Sequence, residues 1–129
     1  MYKELFICMF ILIIIIGLNI ITQNYTKESI KTIEDNLENL KELLSISDVN
    51  KEEVETEVDN LMEKWREKYN ILAYYIEHDE LEKAETELTS IKSNIEVEQY
   101  EEGIIDLDRC IFILRHIKDK FRLEVKNIF

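Results

Sequence analysis

Residues 5–21 read LFICMFILIIIIGLNII, and this stretch decides how the rest of the chain is arranged. It carries no charge, and Cys8 and Asn19 are its only polar side chains. Its length at ~1.5 Å per residue comes to roughly 25 Å, close to the hydrocarbon thickness of a thin bilayer. The run is apolar on every face, unlike the helices that follow it, which argues against a core helix.

A cleaved signal peptide shares the short basic start, here Lys3, and the apolar core, but needs a small-residue cleavage site. Residues 19–25, NIITQNY, offer none. Cys8 comes too early to be a lipidation site after the apolar run. Residues 1–24 are therefore expected to be an uncleaved signal-anchor, and 25–129 a helical domain held by it at the cell membrane in a single pass. The flanking charges are nearly tied: Lys3 and the amino terminus against Glu4 on one side, Lys27 and Lys31 among acids on the other. Signal-anchor habit points to an extracytoplasmic domain, and the reverse orientation stays open.

Beyond the anchor, composition points to helices. The chain has 129 residues, no Pro, and only Gly17 and Gly103, which fits long helices and argues against a turn-rich sandwich or barrel. Net charge is −12, from 28 acids and 16 bases. This acidic balance speaks against nucleic-acid binding and opposes peripheral docking on anionic lipid. The two cysteines, Cys8 and Cys110, are too far apart in the pattern to form a disulfide framework.

Apolar periodicity then outlines four helices. Over about 26–46, Ile30, Ile33, Leu37, Leu40 and Leu44 make a heptad-like seam regular enough for a coiled-coil dimer. Nothing interrupts the pattern after Ile21, so this helix is able to continue the membrane segment. Asn50 with Glu53 reads as a capping box opening a helix over about 51–77. That helix's core stripe contains Val54, Val58, Leu61, Met62, Trp65, Tyr69, Leu72, Ala73 and Ile76, with Ile71 and Tyr74 off it. Asp79 with Glu82 reads as a second box opening a helix over about 80–96, with Leu81, Ala84, Leu88, Ile91 and Ile95 inward. A break near Val97 precedes a helix over about 99–121, with Leu107, Ile111, Leu114 and Ile117 inward and Ile105 and Phe112 on another face. The expected fold is all-α: one transmembrane helix followed by an antiparallel bundle of about four helices.

Little here resembles a catalytic constellation. Cys110 and His116, six apart, fall on different sides of a helix, and there is no G-x-S-x-G elbow. The residues three before His78 and His116 are Tyr75 and Ile113, so the Glu-x-x-His pairs of a di-iron bundle are missing. The acids around Glu77 and around Glu98 lack calcium-loop spacing. No catalytic residue, cofactor or metal site is expected.

Residues 65–121, from Trp65 to Phe121, and the ending KNIF resemble a family of small membrane-anchored bacterial helical proteins of unassigned function, domain-of-unknown-function family 4363. The parts that carry the likeness most specifically are YYIEHDELEK at 74–83 and DLDRCIFIL at 106–114. The resemblance implies a single span, a helical domain and no established chemistry. The functional expectation is a non-enzymatic interaction or assembly module, touching the bilayer through 5–21 and a membrane protein or a second copy through Ile71, Tyr74, Ile105, Phe112, Ile128 and Phe129. The alternative is an extracytoplasmic ligand-sensing domain with Trp65, Tyr69 and Tyr75 lining a pocket.

Overall fold

The computed structural model describes the backbone of residues 1–128 and the side chains of all of these except Val125, Asn127 and Ile128. Four helices follow one another: α1, Tyr2–Ser45; α2, Lys51–Leu72; α3, His78–Glu96; and α4, Tyr100–Ile128. There is no strand among the described residues. Short connections force antiparallel neighbours. α1 packs on α2 and α4, and α3 packs on α2 and α4, so the helices form a closed ring whose diagonal backbones stay apart.

α1 is a single unbroken helix of 44 residues. Gly17 is the only glycine in it, and Pro is absent. Its first half stands free of the bundle, with its large apolar side chains exposed from Leu5 to Ile21. Its second half buries Ile30, Ile33, Leu37, Leu40 and Leu44. The heptad seam thus lies in the bundle's own interior, under α2 and α4, and is not a surface open to a coiled-coil partner.

α2 opens as the sequence indicates: Asn50 Oδ1 accepts the Glu53 backbone N–H at 3.2 Å. It closes earlier than expected, at Leu72 and not near Glu77. Residues 73–76 instead wind into a tight turn, with Tyr74 N–H donating to Ile71 O and Tyr75 N–H to Leu72 O. The turn delivers Tyr75 to α1 and buries Ile76, and it leaves Ala73 exposed where the core stripe predicts it inside.

The expected Asp79–Glu82 capping box does not form. α3 begins at His78, with Glu77 at the cap position making no side-chain cap bond. Asp79 and Glu80 lie in the first turn, where they complement the helix dipole. Glu82 faces His78 Nε2 at 2.9 Å. At its far end α3 stops in a Schellman arrangement: Gln99 N–H donates to Asn94 O at 2.8 Å and Glu98 N–H to Ile95 O at 3.1 Å. Glu98 takes the left-handed conformation there, φ 60°.

α4 runs to Ile128, about two turns beyond the expected end. Nothing in residues 121–128 breaks a helix, and Phe121 packs on the Tyr75 ring at 5.1 Å. The core between the four helices is continuous. Trp65 is its largest fully buried side chain, beside Leu61, Leu72, Leu81, Leu88, Leu107 and Leu114.

Candidate functional site

The bundle has two ends. One holds the 46–50 connection and the α3–α4 turn, and there Leu44 meets Gly103. The other meets the apolar half of α1. At this base the Tyr75 hydroxyl lies 2.8 Å from Thr26 Oγ1 and 3.5 Å from Thr22 O. Thr26 already donates to Thr22 O at 2.7 Å, so Tyr75 is the donor to Thr26. The α2–α3 turn is thereby clamped to α1 little more than one helical turn past Ile21.

The three aromatic residues expected to line a pocket do not converge. Trp65 is buried and stands edge-on to Tyr69 at 6.0 Å. Tyr69 is half-buried; its hydroxyl meets His78 Nδ1 at 2.9 Å, and burial and then Glu85 and Glu82 push its pKa up. The Glu82–His78–Tyr69 chain therefore holds a protonated phenol and not an activated one. Tyr75 sits apart, against Thr26 and Phe121. None of the clefts described is lined by any of the three.

The expected contact residues divide in the same way. Ile105 and Phe112, two turns apart on the outward face of α4, are 50% and 72% exposed. Ile71 and Tyr74 are exposed near the base, Tyr74 at 88%. The Ile128 side chain and the whole of Phe129 lie outside the described residues.

Buried polar groups serve the packing. Asp106 Oδ2 accepts from Ser90 Oγ and Asn94 Nδ2, each at 2.6 Å, tying α4 to α3. Glu80, nearly buried, is paired with Lys120 at 3.3 Å and Lys83 at 3.7 Å. Burial, with Glu87 nearby, pushes the Cys110 thiol up to about 12, and its Sγ lies 3.9 Å from Ala84 O. Such a thiol is no nucleophile at neutral pH. Among the described residues, no group of three His, Cys, Asp or Glu side chains could hold a metal ion.

The sequence reading missed one feature. A cleft of about 310 Å³ opens at the base between α1 and α4, lined by Gln23, Asn24, Thr26 and Lys27 on one side and by Lys118, Asp119 and Arg122 on the other. The spacing of Lys118, Arg122 and Lys126, four apart on α4, was the available signal. The overall charge of −12 hides it.

Together these features define a class: a closed antiparallel four-helix bundle whose first helix projects as an apolar rod. That rod is the one helix, among the described residues, long and apolar enough to cross a membrane. The chain belongs to the family described as domain of unknown function DUF4363, whose model matches residues 20–128. The matched region starts at the last turn of the apolar run and takes in the whole bundle. No curated protein and no solved structure matches the chain.

Proposed function

We propose that this chain is a membrane-anchored, non-enzymatic interaction or assembly module, held on the outer side of a bacterial cytoplasmic membrane by residues 5–21. The observation that carries the reading is the outward face of α4. The ring is already closed, yet Ile105 and Phe112 stand on that face at a spacing suited to a second helix lying along it. The continuous α1 supports the anchoring half of the reading, since a rigid rod would hold the bundle at a fixed height and angle to the bilayer.

The test is a photo-crosslinking residue placed at position 112 of the full chain in cells, read by mass spectrometry. One recurrent membrane-protein adduct, or a dimer of this chain, is expected, and Ile105→Lys should abolish it. Diffuse adducts that Ile105→Lys leaves unchanged would sink the proposal. Protease treatment of spheroplasts tests the orientation: a bundle on the outer side is digested without lysis.

A further inference from the structure

The seam between α1 and α4 repeats its charge pairing at seven-residue steps. Lys41 on α1 meets Asp108 on α4 at 2.7 Å. One heptad nearer the base, Glu34 meets Arg115 at 3.5 Å. One heptad further, the same register sets Lys27 against Arg122, and these two line one cleft. The alternation fails there: cation faces cation, with Lys118 adding a third. Asp119 is the single acid in the lining. Among the described residues none of Lys27, Lys118 and Arg122 forms a salt bridge, whereas seven of the twelve other Lys and Arg side chains of the bundle pair with an acid.

Height along α1 says what belongs in that gap. Lys27 lies six residues past Ile21, about 9 Å at the helical rise, and Gln23 and Asn24 lie lower still. The polar headgroup layer on each side of a bilayer is roughly 5–8 Å thick, and tilt of the anchor brings the cleft deeper. Tyr25 and Tyr74, at the same end of the bundle, suit an interfacial aromatic belt.

We infer that the α1–α4 cleft binds the phosphate-bearing headgroup of an anionic phospholipid, with Lys27, Lys118 and Arg122 supplying the positive charge. The inference rests on the membrane anchoring proposed above. The headgroup takes the place of the acid missing from the third register of the seam. Arg122 offers a planar fork to phosphate oxygens, and the two lysines offer point charges. The amides of Gln23 and Asn24 can donate to the same oxygens.

The experiment uses the full chain in nanodiscs of phosphatidylcholine alone or in an equal mixture with phosphatidylglycerol. Lipids retained on release are counted by native mass spectrometry, and the unfolding midpoint is recorded. Phosphatidylglycerol should outnumber phosphatidylcholine among the retained lipids by at least roughly fivefold, and the midpoint should rise in the mixed discs. Combined Lys27→Gln, Lys118→Gln and Arg122→Gln should remove both effects. Lys64→Gln, Arg66→Gln and Lys83→Gln, which remove as much charge elsewhere, should not. Arg122→Glu restores the seam pairing, so it should keep the fold and still lose the enrichment. Equal retention of the two lipids by a properly inserted chain overturns the inference alone. Failure to insert into neutral discs overturns the anchoring as well. A midpoint raised equally by inorganic phosphate in neutral discs, with no lipid enrichment, would assign the cleft to a free anion and overturn the lipid reading.

Discussion

The hydroxyl of Tyr75, in the turn between α2 and α3, donates to the hydroxyl of Thr26 on α1 at 2.8 Å, across 49 positions of sequence. This bond joins the base of the bundle to the rod that carries it. Tyr75→Phe should cost about 1 kcal/mol, because it removes one part-buried hydrogen bond while Thr26 keeps its bond to Thr22 O. Tyr75→Ala should cost about 3 kcal/mol, since the contact with Phe121 goes too. Denaturant unfolding of the full chain in detergent checks both: no loss from Tyr75→Phe would show that the hydroxyl contributes nothing, and equal losses would show that the ring contributes nothing.

Asp106→Ala should be among the most damaging single polar changes. It leaves Ser90 and Asn94 without their 2.6 Å acceptor at the α3–α4 interface. The expected loss is about 2–3 kcal/mol, read from the shift in denaturation midpoint.

The α3–α4 turn has its glycine in the wrong place for stability. Glu98 occupies a left-handed position that costs a side-chain-bearing residue roughly 1 kcal/mol, while Gly103 sits inside α4. A Cβ at position 103 would meet Leu44 Cδ1 at 3.8 Å and Ile95 Cγ1 at 3.9 Å, ordinary contacts. Glu98→Gly and Gly103→Ala should each raise stability by about 0.5–1 kcal/mol. The two sites lie close together, so the pair is measured as a double mutant and not summed.

Every resolved pKa shift is upward. Lys41 is raised first by its hydrogen bond to Asp108, and Lys120 by its bond to Glu80. Burial raises Tyr69, Tyr75 and Cys110. A folded-state pKa above the unfolded value means that the folded chain holds the proton more tightly. That contribution is complete below the unfolded value and is lost as pH rises. For Cys110 the window runs from 9.0 to about 12. Stability should therefore fall on the alkaline side, with Cys110→Ala shallowing the fall. At pH 8 a thiol reagent should leave Cys110 unmodified until denaturant is added.

Phe112→Lys and Ile105→Lys should change stability by less than about 0.5 kcal/mol, because both side chains stand in solvent. Trp65→Ala, in the closed core, should cost about 3–5 kcal/mol. A large loss from Phe112→Lys would mean that the α4 face is part of the fold and not a free surface.

By itself the sequence determined the helical class, the four apolar stripes and the family. Helix periodicity and the lack of Pro are local properties, so Ile30 to Leu44 and Leu81 to Ile95 are legible without a structure. Only the tertiary structure decided that α2 stops at Leu72, because the stop is fixed by Tyr75 reaching a partner far away in sequence. It also placed the α1 heptad seam inside the bundle, since an apolar stripe does not say which helix will cover it. The apolar run at 5–21, α1 and the end of α4 become one feature only in three dimensions. Register brings Lys27 opposite Arg122, and a net charge summed along the chain cannot show where the positive charge gathers.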